Sequence, residues 1–529
     1  MSSVPPRSTQ ALDDVEQGKA TSLSEKPGVT SRPSRSRSVR STRSETQVSG
    51  SSTSGEAEVG LPGQPTRLRS AIGGTLRRNP SPAKRWWARV RGKDRKKIGW
   101  MASLKAIVLS SWLNIFLIFI PFAWAAHFVQ DSNPEAFEVA FLAIMPLEKL
   151  FDFGGEQLAM YCGEDIGDLI LITLNNAVEA TLAIILLVKC ELKLLQSTVV
   201  GVVLLHLLLI PGTTFLIGGA RIIEQQLHHQ RTQLNHTLLT FGILSLIVPA
   251  AFFAALDRGE PNTTSTATSE DVITDAYRGD FLKISRGSAI LLLIIYVFSR
   301  WYLHNPPGEG NALQLPPDAP AELKEKEEEL AEAEPEVNPW ACIILLLVAN
   351  AIMAVTAEFL VESIEFVRES GNIREEWFGL ILLPIVSFAA DGAVAVVYFL
   401  HTTCLVPTVT LAMDPPTSVA EARAIDLSIQ FLLFWMPFLV LLGWWTHKPM
   451  SLLFDLFEVT VLIGSCFLVN YVTADAKTNW AEGTVMIAFY LMIALAAWFY
   501  TGQPEIEIMN VCRETIAAAL SSGEVPVGE

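Results

Sequence analysis

Three stretches of this chain carry no Asp, Glu, Lys or Arg over 25 residues or more, longer than a bilayer requires: Ala106 to Gln130 (25 residues), Leu194 to Ala220 (27) and Thr232 to Leu256 (25). About 20 apolar residues in a helix cross the hydrocarbon core. Inside lipid every backbone N–H and C=O has to be satisfied within the protein, so runs of this kind become helices. Only 18% of the 529 residues are charged, against roughly 25% in soluble domains. The chain therefore reads as an all-α, polytopic membrane protein.

Apolar windows predict about eleven spans: 104–128, 135–150, 167–188, 194–219, 233–256, 281–303, 340–366, 376–400, 424–446, 451–473 and 481–501. After the first, the remaining ten divide into two sets of five around an acidic loop with ten acids and two lysines between Glu309 and Glu336. An odd number per set inserts the second upside down relative to the first, as in inverted-repeat transporters. The expected organisation is a basic tail (1–100), a leading helix (101–130), a first repeat (131–303), the acidic loop (304–339), a second repeat (340–502) and a C-terminal tail (503–529). A count of helices also fits a protein without internal symmetry.

The net charge of -16 averages two unlike regions, since residues 1–100 hold 20 Lys+Arg against 8 Asp+Glu. Residues 1–83 have too few large apolar side chains to offset the entropy of ordering them and are expected to be disordered. The tract Ser34-Arg35-Ser36-Arg37-Ser38 stands without an RNA-reading module, so no nucleic-acid partner is expected. Eight basic residues between Lys84 and Lys97, with Trp86 and Trp87, favour the cytosolic face and anionic lipid. A cytosolic amino terminus then puts the sequon Asn262-Thr263-Thr264 in the lumen. Six scattered cysteines without a CxxC pair read as packing residues. With no nucleophile motif or phosphate loop, neither an enzyme nor a cofactor is expected.

Ionisable groups in mid-span cost roughly 2.5–3.5 kcal/mol on insertion scales, so they mark ion paths. Glu179 and Asp391 are two such groups, one in each set. Asn176 lies three residues before Glu179 and shares its helical face, offering an amide carbonyl beside a carboxylate. If inverted symmetry brings the two acids together, they neutralise a divalent cation, and hard oxygen ligands suit Ca²⁺ or Mn²⁺. Protons can replace the metal on such a pair. Gln430 offers either a further carbonyl ligand or a helix-to-helix hydrogen bond. Glu358, Glu362 and Glu365 share one face of the seventh span, as a cation vestibule or as a solvated helix end; Glu156 is open to the same two readings. His206 reads as an internally hydrogen-bonded histidine before a proton relay.

The stretches Asn176-Ala177-Val178-Glu179, Gln196-Ser197 with Gly201, Ala357 to Glu365, Gly379 to Val386, Pro437 to Trp444 and Asn479 to Gly483 resemble vacuolar Ca²⁺/H⁺ exchangers of the calcium/cation antiporter superfamily, in a divergent fungal-type form. The likeness runs from about residue 102 to 502. It implies one helix followed by two inverted sets of five. It also implies exchange of luminal H⁺ for cytosolic Ca²⁺ across a vacuolar or other endomembrane, with paired Gly-Asn-Ala-x-Glu motifs supplying the cation-binding acids. Those acids map onto Glu179 and Asp391. The first motif has Asn175 at its glycine position, and Val202 and His206 stand at a Ser and an Asn position farther along. The second becomes Ser387-Phe388-Ala389-Ala390-Asp391-Gly392, losing an amide and a histidine.

The expectation is a secondary antiporter of Ca²⁺, or a similar divalent cation, against H⁺, with Glu179, Asp391, Asn176 and Gln430 around the ion. Its partners would be membrane lipid, the cation and protons, and a homo-oligomer is left open. The alternatives are a monovalent cation/H⁺ exchanger and a transport-defective regulatory paralogue of the same fold, the latter motivated by Phe388.

Overall fold

A computed structural model of the chain describes residues 98–129, 134–219, 224–257, 274–305, 324, 334–404, 418–513 and 515–521. The expected basic tail up to residue 97, the sequon and most of the acidic loop lie outside these residues. Among the described residues seven helices are long and apolar enough to cross a membrane, or up to nine if each of two bent pairs is one span. The expected eleven is not reached by that measure. Two further helices are one rich in charge (Pro134–Cys162) and one short (Leu456–Val472).

The chain opens with α1 (Trp100–Leu109) and α2 (Trp112–Phe128), which meet at 92°. The break is stable because its freed backbone groups find side chains. Ser111 accepts from the Leu113 N–H, and Asn114 Nδ2 donates to the Ile107 and Val108 carbonyls at 3.0 and 3.2 Å. Next come α3 (Pro134–Cys162), then α4 (Glu164–Asn175) and α5 (Ala177–Lys189), bent by 53° around Asn176. The first set ends with α6 (Leu192–Gly218), α7 (His229–Asp257) and α8 (Asp275–Leu303). The second comprises α9 (Pro339–Gly371), α10 (Leu383–Cys404), α11 (Ser418–Gln430) leading into α12 (Met436–Trp445), α13 (Leu456–Val472) and α14 (Trp480–Phe499). A two-residue antiparallel pair, β1 (Gln225–Gln226) with β2 (Lys477–Thr478), links the loops after α6 and α13.

The second span, expected over 135–150, continues to Cys162. The charges at Glu148, Lys149, Asp152 and Glu156 resemble a membrane exit in sequence. The acids, however, recur every fourth residue, which stacks them on one face of an uninterrupted helix. Wide i→i+5 turns at Leu205–Leu209, Phe378–Leu382 and Phe431–Trp435 each stand immediately before a helix with proline at its second residue: Pro211, Pro384 and Pro437. Proline lacks an N–H and clashes with the carbonyl four residues back, so the preceding turn widens.

The two sets interlock. α3 packs along α9, and α6 crosses the wide turn Phe378–Leu382 that leads into α10. At that crossing Gly201 lies so close to the Leu380 carbonyl that a Cβ would clash with it, and one on Gly379 would meet Ser197 Cβ at 2.8 Å. Only glycine permits this approach. α6 is buried along its whole first half, whereas Phe128, Trp301, Phe467, Tyr471 and Phe499 are exposed apolar side chains. That is the inside-out pattern of a protein solvated by lipid. The reading of all six cysteines as packing residues is corrected at two positions: Cys190 and Cys512 are paired as a disulfide, with Cα atoms 6.3 Å apart. Cys162, Cys342 and Cys466 are buried thiols.

Candidate functional site

A cavity of about 600 Å³ opens where the α1–α2 break, α3, the α4–α5 break, α6 and α10 converge. Glu179 and Asp391 both line it, one from each set of helices. Glu156 is in its wall as well.

Glu179 belongs to the first turn of α5, directly after the break at Asn176. A helix start carries partial positive charge, which favours a carboxylate there. The side chain is 4% exposed and its Oε2 has no hydrogen-bond partner in the protein. Its Oε1 is 4.0 Å from His206 Nε2. His206 is placed by the other ring nitrogen, 2.9 Å from the Val202 carbonyl. A carbonyl oxygen can only accept, so Nδ1 carries the hydrogen and Nε2 faces the carboxylate. His206 is thus the internally bonded histidine expected, and it also faces the site.

Asn176 and Gln430 meet each other rather than the cavity. Asn176 Nδ2 donates to Gln430 Oε1 at 2.7 Å and to the Leu427 carbonyl at 3.3 Å. Gln430 Nε2 in turn donates to Thr173 Oγ1 at 2.9 Å and to the Tyr296 hydroxyl at 3.1 Å. The Gln430 carbonyl is therefore engaged, while Asn176 Oδ1 is buried and unpartnered. In this arrangement Gln430 orients Asn176.

Asp391 is more open, 47% exposed to the cavity, and forms an ion pair with Lys149. Phe388, one turn earlier on α10, also lines the wall. Lys149 Nζ donates to Asp152 Oδ2 at 2.8 Å as well. Sequence reasoning misses Glu148, Lys149 and Asp152. The signal that could have found them is the run Glu148, Asp152, Glu156 at i, i+4, i+8 after Pro146. Five acids and one lysine in a single wall make the cavity attractive to cations. Among the described residues no three His, Cys, Asp or Glu side chains converge tightly enough to hold a metal.

The proposed vestibule acids are divided. Glu358 and Glu362 are in ion pairs with Lys189 at 3.3 and 2.6 Å, and His127 stands 3.5 Å from Glu362. Glu365 lines a separate hollow of about 410 Å³ with Arg368 and Arg374. None of the three reaches the cavity of Glu179 and Asp391.

Broken helices around a charged interior cavity define a polytopic helical membrane carrier. A family model for the sodium/calcium exchanger protein matches the chain twice, over residues 135–303 and 341–499. The chain belongs to the sodium/calcium exchanger protein family, built from two successive copies of the family unit. Among curated relatives, the vacuolar calcium ion transporter of Cryptococcus neoformans var. grubii is 33% identical over 499 residues, covering 79% of each chain. That of Schizosaccharomyces pombe is 30% identical over 75% of this chain and 87% of its own. The Ca²⁺/H⁺ antiporter of Aphanothece halophytica is 29% identical over 74% and 97%. The solved Ca²⁺/H⁺ antiporter protein YfkE shares the fold, with a TM-score of 0.52 at 20% identity, covering 73% of this chain and all of that one.

Proposed function

We propose that this protein is a secondary antiporter that exchanges Ca²⁺, or a similar divalent cation, for protons across a vacuolar or related endomembrane. One observation carries the reading: Glu179 and Asp391, contributed by the two repeats, line the same cavity. The relatives named as vacuolar calcium ion transporters and as a Ca²⁺/H⁺ antiporter support it.

The chemistry follows from the oxygen supply. Ca²⁺ takes six to eight oxygens at about 2.3–2.6 Å. The unpartnered Oε2 of Glu179 is a buried oxygen with free lone pairs, and Asp391, on the same cavity wall, and water would add to it. A carboxyl oxygen can hold either a proton or the metal, so the two compete for the same oxygens. Access would alternate at the helix breaks, as in carriers whose repeats rock around a midplane site. Glu156 serves as an entry acid in this reading.

The test is ⁴⁵Ca²⁺ uptake into vesicles containing the full chain, driven by an acidic interior. Uptake is expected to vanish on dissipating the proton gradient and on Glu179→Gln. Undiminished uptake by that variant would refute the assignment. Exchange of a monovalent cation is the second reading, favoured by the Lys149–Asp391 pair, which leaves Glu179 as the carboxylate without a cationic partner. Proton release measured against K⁺, Na⁺ and Ca²⁺ separates the two.

A further inference from the structure

Lys149 is a cation already inside a cation cavity. Its Nζ contacts Asp391 from the opposite repeat and is 2.8 Å from Asp152, one turn along its own helix. The side chain is 18% exposed, no other Lys or Arg lines the cavity among the described residues, and the neighbouring Glu148 has an unpartnered Oε2. A lysine in a membrane span is costly and persists where acids hold it. An ammonium on a flexible four-carbon stem is a point charge that can leave one carboxylate and keep another. Asp152 provides that second partner.

We propose that Lys149 is a tethered competitor for Asp391: in the empty site its ammonium occupies the second carboxylate, and a transported cation displaces it onto Asp152. This rests on the antiport reading above and names the residue that sets the site's preference. A divalent ion gains from binding Glu179 and Asp391 together, which offsets the cost of moving Lys149. A monovalent ion gains too little from Asp391 to expel a charge equal to its own, and is held at Glu179 alone. Lys149 thereby sets both the affinity for Ca²⁺ and the penalty against univalent ions.

The experiment compares reconstituted wild type, Lys149→Met, Asp391→Asn and the double variant. Removing a unit charge next to the site is expected to lower the half-saturating Ca²⁺ concentration by about tenfold or more. Univalent cations should inhibit Lys149→Met more strongly than wild type, and Asp391→Asn should abolish the difference between Lys and Met at 149. An unchanged half-saturating concentration in Lys149→Met overturns the proposal, as does an equal effect in the Asp391→Asn background, which would mean a role in packing. A second measurement needs no variant to fold and no flux: acylation of Lys149 by a small amine reagent, read by mass spectrometry of the full chain in detergent. Ca²⁺ should raise labelling of Lys149 several-fold and leave the exposed Lys283 unchanged, and labelling insensitive to Ca²⁺ overturns displacement. Ca²⁺-dependent labelling in a wild type that transports no Ca²⁺ would instead sink the antiport reading and leave the displacement standing.

Discussion

The two repeats present their acids in opposite ways. In the first, the chain breaks at Asn176, and Glu179 follows in the first turn of a new helix, dry, beside His206. In the second, Asp391 sits within the unbroken α10, open to the cavity and neutralised by Lys149. Asn176 is anchored by Gln430, whereas the position three residues before Asp391 is Phe388, which has no polar side-chain atom. A scaffold of two family units thus carries asymmetric chemistry: one half supplies a desolvated carboxyl group without a cation, the other a carboxylate already balanced.

The largest expected contrast is between the acids themselves. Glu179→Gln should reduce proton-driven ⁴⁵Ca²⁺ uptake to the background of empty vesicles. Asp391→Asn should reduce it by a smaller factor, on the order of ten, because Lys149 already withholds part of that charge. Equal losses would erase the asymmetry. Next in size is the joint that holds the repeats together. Arg231 on α7 bonds Asp426 on α11, with its Nε at 2.6 Å, and Asp426 is fully buried. Removing one partner of a buried pair strands a charge at a cost of about 3–5 kcal/mol. Arg231→Met should therefore sharply lower the unfolding temperature in detergent, and the double variant with Asp426→Leu should recover much of it. A smaller effect is expected from Phe388→Asn, which supplies the second repeat with the amide oxygen that the first already has. Half-saturating Ca²⁺ should fall by about threefold, one added neutral ligand in a shell of six to eight. An increase would mean that the ring, not the missing oxygen, shapes the wall.

Much of this was legible in the residues. Charge-free runs identify most of the spans, and the two intramembrane acids draw attention to Glu179 and Asp391 without any coordinates. Of the α3 acids only Glu156 was singled out; Glu148 and Asp152 were hidden from composition, because a helix whose charges face an interior cavity has the same composition as one leaving the membrane, and only their four-residue spacing hinted at a shared face. The packing of α3 on α9 and α10 distinguishes the two. Gln430 was legible as polar and buried, but its partner was not, since 254 residues separate it from Asn176. The Cys190–Cys512 pair, 322 residues apart, escaped for the same reason. Periodicity reports which face is apolar and is silent about which distant segment covers it.

The weakest expected effect concerns the segment that follows the second repeat. The segment after α14 folds into α15 (Pro504–Asn510), and its Glu507 lies near Glu375 and Glu376 at the entry to the α10 segment. Burial first, and then those two acids, push its carboxyl from 4.5 up to about 7. The folded chain thus holds this proton more tightly than the unfolded chain does. The resulting stabilisation is fully present below pH 4.5 and is lost as the pH rises through about 7. Backbone amides of Pro504–Asn510 should exchange hydrogen more slowly at pH 5 than at pH 8, after correction for intrinsic rates. Glu507→Gln, which cannot ionise, should flatten that difference while leaving the protection at pH 5 in place. Protection that instead grows with pH would place the charged form in the stable state. It would then mean that acid does not strengthen the packing of this segment against the second repeat's Glu375–Glu376 turn.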